Sequence, residues 1–378
     1  MDDFLCPDNS VSHFPTVGVI GAGQLARMMV APAIALGVNL KVFAQSHDDS
    51  AAQILHHEVG DYRDSESLRN FAQDCDVITF EHEIIPSSVI STLERDGIVV
   101  RPAGTAFRYS QNKTELRQLL TERNIRSPRW QLSSRPLSIE FPLVAKSISG
   151  GYDGRGVWVV HNQSELHALG ASELLLEEKL HFSHEIAVMV ARSPHGQIST
   201  WPATETIQVD GMCVETITPA PCLDEAQHVF AQQMAITIAD YVGLIGVMAV
   251  EMFLVEGELV INEIAMRPHN SGHWSIEGSV TSQFEQHLRA ILDLPLGDTS
   301  MRSPFAVMGN VVGGEKTDMY RPYLHLFART PHLKIHQYRK TVKPGRKVGH
   351  VTAVGNNLDS LREEVRHAVD YMNGAIDE

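Results

Sequence analysis

The sequence predicts an α/β protein of more than one domain, opening on a doubly wound parallel sheet. Three observations lead there. Strand-like runs alternate with helix-length segments from Thr16 to about Arg123, paired strands replace that alternation from about residue 140, and 378 residues exceed what one core usually supports.

TVGVIGAGQLARMMVAPAIALGVNLKVFA reads as strand, glycine turn, helix and a second strand ending near Ala44. DVITFEHE (76–83) is the next strand, followed by a helix through Val89 and Leu93 and a short strand, IVVRP. A helix from Gln111 to about Arg123 ends before Ser127–Pro128. FPLVAKS and VWVVH then read as strands flanking the glycine loop SGGYDGRG, and SELLLEEKL and EIAVMVAR as two more. A long helix over Glu225–Val242 precedes the strands VMAVEMFLV and ELVINEIA. Beyond Leu296 the Pro- and Gly-rich tail predicts a small β-rich unit closed by a helix after Asp359.

Composition narrows the function classes. With 31 basic and 46 acidic residues the chain carries −15, which argues against a general binder of nucleic acid or anionic membranes. There is no apolar run of eighteen residues, and Asp2 and Asp3 stand where a signal peptide carries Lys or Arg, so a cytoplasmic protein is expected. Four cysteines without a C-x-x-C, and 19 scattered histidines without H-E-x-x-H, predict neither a disulfide framework nor a histidine metal centre.

Gly21-Ala-Gly23-Gln-Leu-Ala26 follows a strand and opens a helix, as a dinucleotide fingerprint does. The second strand, however, ends in Ala44-Gln45-Ser46, without the acid that would hold a ribose hydroxyl. The glycines then serve a tight turn, near which an anionic substrate group remains open.

Glu251 and Glu263 interrupt apolar strands, where an ionised carboxylate is costly unless paired or bound to a cation. A hairpin centred on Gly257 sets the two opposite each other, roughly 5 Å apart at Cβ, so that a hard divalent cation would relieve their repulsion. Asn262 would face away unless a bulge turned it to the same site, and a turn shifted by one residue would separate the two acids. Lys146 closes the strand LVAK just before SGGYDGRG, whose four glycines in eight residues would let backbone close over phosphate oxygens. The spacing is not that of a Walker loop.

With GAGQLARM, GGYDGRGV, VMAVEMF, INEIAMRPHNSGHW and PGRKVGH in place, the chain resembles the ATP-grasp ligases, and within them the 5-(carboxyamino)imidazole ribonucleotide synthases of purine biosynthesis. The resemblance implies a Rossmann-like pre-ATP-grasp domain (15–108), an ATP-grasp domain (109–296) with a lid at about 130–180, and a small β-rich domain (297–378). It implies ATP-dependent carboxylation of 5-aminoimidazole ribonucleotide by bicarbonate, with ATP, one or two Mg2+ ions, and a homodimer. Arg108 and Lys146 resemble the phosphate cations, with Gly151, Tyr152, Asp153, Gly154, Arg155, Gly156 and Val157 folding over the same phosphates. Glu177, Glu178, Lys179 and Leu180 resemble the hinge whose backbone pairs with adenine, Glu185 the ribose acid, and Gln208 a position near ATP. Glu251, Glu263 and Asn262 match the metal ligands. Tyr152, Asp153, Arg155, Arg267, Glu81 or Glu83, Lys340, Arg346 and Lys347 are implied for the ribonucleotide, with Arg267, Lys146 and Asp153 as the catalytic residues. His269 and His273 fit a substrate loop better than a metal site. Met266 and Gln208 depart from the family's proline and histidine. Three other readings stay open: a sister ligase such as a formate-dependent glycinamide ribonucleotide transformylase or a biotin carboxylase, an NAD-dependent oxidoreductase, and a nucleotide-binding module without turnover.

Overall fold

The computed structural model describes residues 14–150, 155–170 and 173–377. Its first unit contains β1 (Thr16–Ile20), α1 (Gln24–Met28), α2 (Val30–Leu36), β2 (Asn39–Ala44), β3 (His56–Val59), α3 (Ser65–Ala72), β4 (Val77–Phe80), α4 (Ser87–Arg95), α5 (Gly104–Gln111) and α6 (Lys113–Glu122). The four strands form a parallel sheet in the order β3-β2-β1-β4. Adjacent residues of one strand point to opposite faces. Ile20, Phe43, Ile78 and Phe80 therefore pack with Leu68 and Phe71 of α3 and Val89 and Leu93 of α4, while Val17, Val19 and Val42 pack with Leu25 and Ala26 of α1. Helices cover both faces, which makes the sheet doubly wound.

Several local expectations change. IVVRP is not a strand; it contributes one isolated bridge, Val100 to Ile78. The strand expected over 76–83 is confined to four residues, because the chain turns after Phe80 to bring Glu81 beneath the glycine turn. The helix expected from Gln111 begins at Lys113, where the Asn112 side chain accepts from Thr114 N and Glu115 N.

The segment expected as the lid contains β5 (Trp130–Leu132), β6 (Leu143–Ser147), β7 (Val157–Val160), α7 (Gln163–Ala168) and β8 (Leu174–Glu178), with sheet order β5-β8-β6-β7. Then come β9 (His184–Arg192), β10 (Ile198–Thr200), β11 (Thr204–Val209), β12 (Met212–Thr218), α8 (Glu225–Val242), β13 (Gly246–Val255), β14 (Glu258–Ala265), a 3-10 turn (Asn270–Gly272), α9 (Ser275–Gly278) and α10 (Gln283–Ile291). The final elements are β15 (Phe305–Val312), α11 (Pro322–Arg329), β16 (Lys334–Gln337), β17 (Lys347–Gly355) and α12 (Leu358–Asn373). The last three strands continue the central sheet, since β12 pairs with β15, giving the order β14-β13-β9-β11-β12-β15-β17-β16 with β10 beside β9.

Period-two alternation decides which face of this sheet holds chemistry. Ile186, Val188 and Val190 of β9 and Met248, Val250 and Met252 of β13 pack on Ala231, Ala235, Ile238 and Ala239 of α8. Glu185 and Glu251 occupy the other face, toward the lid. The α8 boundaries match expectation because both ends are encoded. Asp224 and Gln227 form a capping box, and Gly243 ends the helix in the left-handed region at φ 67°. Among the described residues no helix is long and apolar enough to cross a membrane.

Candidate active site

Between the lid sheet and the exposed face of the large sheet lies a cleft of about 490 Å3. Small-molecule sites fall in this range. Val144, Val157, Val159, Phe182 and Phe253 supply its apolar walls, and Lys146, Glu185, Glu251, Asn262, Glu263, His269 and Lys347 its charged and polar ones.

The acidic centre rests on a bulge. Val255 pairs with Glu258 across the two-residue turn Glu256–Gly257, whose φ angles of 50° and 83° mark a primed turn. That turn lies one residue from the position the sequence predicts, a shift that by itself would put Glu251 and Glu263 on opposite faces. The register slips back between Glu251 and Met252, leaving Asn262 as the extra residue and Glu251 opposite Glu263. The bulge brings Asn262 to the same cleft. Burial, then Glu263 and Glu185, push the Glu251 carboxyl up from its ordinary range. Burial and Glu263 raise Glu185 to about 7. Three neighbouring carboxyls, with the Asn262 side chain beside them, offer oxygen donors that fit a hard divalent cation.

A buried ion network fixes the opposite wall. Lys146 Nζ lies 2.8 Å from Glu177 Oε2 and donates to Asn262 Oδ1 at 3.0 Å. Arg117, on α6, donates through Nε to Glu177 Oε1 at 2.6 Å and through Nη2 to the Asn262 carbonyl at 2.7 Å. Burial alone would raise the Glu177 carboxyl; Arg117 and Lys146 outweigh it and hold the group well below the ordinary carboxylate range. One guanidinium thus ties the lid's β8 to the bulge of β14. Nothing in the sequence singles out Arg117, since its partners lie 60 and 145 positions away.

At the glycine turn, Gly23 N and Leu25 N donate to the Glu81 carboxylate, the latter at 2.9 Å. A Cβ on Gly21, at φ 112°, would stand 2.7 Å from Glu81 Cβ, so glycine is required there. The anion position that a dinucleotide phosphate would take is filled by the protein's own carboxylate. Lys340 Nζ donates to Gln24 Oε1 beside it. Arg267 Nε pairs with Glu83 at 2.9 Å, and His269 Nε2 lies 3.3 Å from Glu251 Oε1. Gln283 fixes His269 from below, accepting from its N–H and donating to its carbonyl, each at 2.8 Å. Burial, then Arg267 and Lys347, keep His269 neutral.

The structure therefore gathers Lys146, Val157, Glu177, Glu178, Lys179, Leu180, Glu185, Gln208, Glu251, Asn262, Glu263 and Lys347 on one cleft. Glu177 and Glu178 sit between β5 and β6, which leaves Lys179 and Leu180 beyond the strand end. Glu81, Glu83, Arg267 and Lys340 lie together beside the glycine turn. Arg108 is not among the cleft-lining residues; it is exposed and engages Glu115 at 3.3 Å and Tyr109 Oη at 2.8 Å. Arg346 is exposed and donates to the Thr341 carbonyl at 3.3 Å. His273 is fully buried and stacks on His350 with ring centroids 4.9 Å apart, so it belongs to the core rather than to a substrate-contacting loop surface. Gly151, Tyr152, Asp153 and Gly154 lie outside the described residues, while Arg155 and Gly156 follow them at the foot of β7.

Three family models cover most of the chain: a ribonucleotide synthetase preATP-grasp domain over residues 14–111, an ATP-grasp domain over 118–284, and a phosphoribosylaminoimidazole carboxylase C-terminal domain over 306–364. The N5-carboxyaminoimidazole ribonucleotide synthase of Mycobacterium tuberculosis is 42% identical, over 95% of this chain and 88% of that protein. The Aspergillus clavatus enzyme complexed with ATP superimposes with TM-score 0.87 at 32% identity, over 96% of this chain and 99% of the other. Its complex with ADP and 5-aminoimidazole ribonucleotide gives 0.86 at 31% identity, with the same coverage. The chain belongs to the N5-carboxyaminoimidazole ribonucleotide synthase family of ATP-grasp ligases.

Proposed function

We propose that the cleft carboxylates the exocyclic amine of 5-aminoimidazole ribonucleotide, using bicarbonate and converting ATP to ADP and phosphate. Bicarbonate is a poor electrophile. A bicarbonate oxygen attacks the γ-phosphorus and ADP departs, leaving carboxyphosphate. Cleavage of its carbon–oxygen bond gives phosphate and carbon dioxide, and the amine nitrogen then attacks that carbon and loses a proton.

The observation that carries this reading is the Glu251–Glu263 pair at the Asn262 bulge, beside Lys146, which donates to Asn262. Lys146, locked by Glu177 and Asn262, presents its ammonium to the phosphates at a fixed position. Glu251, Glu263 and Asn262 would hold magnesium, which when bound with the nucleotide neutralises charge on its phosphates. Val144 and Phe253 bound the pocket for adenine, whose edge meets the hinge backbone at Lys179 and Leu180, and Glu185 takes the ribose hydroxyls. Arg155 and Gly156 close over the phosphates and exclude water from carboxyphosphate. The ribonucleotide lies beside the cluster of Glu81, Glu83, Arg267 and Lys340. Arg267, positioned by Glu83, stabilises charge on the carboxylate being transferred. Arg346 and Lys347 flank the same unit, and the protein acts as a homodimer.

Phosphate release measured across an acceptor panel tests this reading. Release should require both bicarbonate and 5-aminoimidazole ribonucleotide. Turnover supported instead by formate with glycinamide ribonucleotide, or by biotin, would assign the cleft to a sister ligase.

A further inference from the structure

The face of the large sheet turned away from the nucleotide holds a second cluster. We propose that His184, Glu205 and Cys222 bind one zinc-class divalent cation on the α8 side of that sheet. Neighbouring strand residues point to opposite faces, so Glu185 looks into the cleft and His184 looks away from it. Glu205 of β11 pairs opposite Ile186, which packs against α8, and this sets Glu205 on the same side as His184. Cys222 lies in the connection from β12, two residues before Asp224, the N-cap of α8.

One ligand atom from each residue lies within 4.8 Å of the other two. His184 Nε2 is 4.0 Å from Glu205 Oε1, too long for a hydrogen bond. An ion with bonds of about 2.0–2.3 Å to nitrogen, oxygen and sulfur closes that gap with a small side-chain shift. His184 Nδ1 is shut off from solvent and has no hydrogen-bond partner among the described residues, so a hydrogen bond from that atom does not fix the ring.

The donor set chooses the metal. A thiolate, an imidazole and a carboxylate suit zinc or cobalt and not magnesium, and three protein ligands leave a fourth position for water. Binding displaces the Cys222 thiol proton to solvent. None of the three side chains faces the reacting groups, so the cation acts as a clip joining β9 and β11 to the start of α8.

Cobalt titration of the reduced full-length protein, freed of magnesium, is the direct test. A thiolate-to-cobalt charge-transfer band should grow to one equivalent, disappear in Cys222→Ser, persist in Cys213→Ser, and need at least about tenfold more cobalt in His184→Ala. Zinc should also raise the melting temperature of the parent protein and not that of Glu205→Gln, a readout independent of the thiol. Carboxylation by Cys222→Ser should match the parent without zinc. Absence of the band from the parent, or its persistence in Cys222→Ser, would overturn the site.

Discussion

Replacing Glu251 or Glu263 by Gln keeps the side-chain shape and removes one of the charges that face each other at the bulge. Each change should lower turnover at least about a hundredfold, the scale for loss of one preorganised electrostatic contact. Steady-state rates at limiting magnesium check this, and near-parental activity in both variants would remove the metal assignment. Arg117 calls for a subtler change, because deleting it would strand the buried Glu177. Arg117→Lys retains the charge but cannot reach both Glu177 and the Asn262 carbonyl. It should cost about 1.5–3 kcal/mol of stability, the value of a hydrogen bond to a charged group, and weaken nucleotide binding with it. Urea unfolding and ADP titration measure the two effects. At this scale the sequence was readable where charge breaks an apolar run, as at Glu251 and Glu263. It was unreadable at Arg117, which looks like any helix-surface arginine until the fold delivers Glu177 to it.

The hairpin of β13 and β14 shows the same limit for an element. Its strands and turn residues follow from two apolar runs flanking Glu256–Gly257, yet nothing in LVINEIA announces a bulge at Asn262. The facing acids came out right because two one-residue displacements cancel. Less patterned elements were missed: HHEV of β3 has no apolar alternation, and α5 starts without a side-chain cap. The acidic face also predicts a pH dependence. Burial and Glu263 raise Glu185 from an ordinary 4.5 to about 7. A raised carboxyl favours the folded state fully below its unfolded value, and that contribution is lost as pH rises through the folded one. The ligand-free protein should therefore lose stability between those values, and magnesium with ADP, which needs the carboxylates ionised, should restore more of it at higher pH. Melting temperatures with and without magnesium–ADP should differ more at about pH 8 than at about pH 6. An equal difference at both would contradict the crowded-acid account.

Across the whole molecule, the first and last units meet beside the active cleft. Ser50 Oγ donates to the Tyr338 carbonyl, Gln53 Nε2 donates to the Arg339 carbonyl at 3.0 Å, and Lys340 reaches Gln24 next to Glu81. The basic tail is legible as a charge cluster, but its seating against a turn more than 300 residues earlier is a property of the fold. Lys340→Ala should raise KM for the ribonucleotide about tenfold or more, the loss expected for one charged hydrogen bond, while ATP affinity stays near the parent value. Initial rates with each substrate varied in turn separate the two. The central claim, that this cleft activates bicarbonate by phosphorylation, is tested most directly with oxygen-18 bicarbonate. Phosphate released during carboxylation should carry one labelled oxygen per turnover. Unlabelled phosphate, formed at the same rate as product, would contradict it.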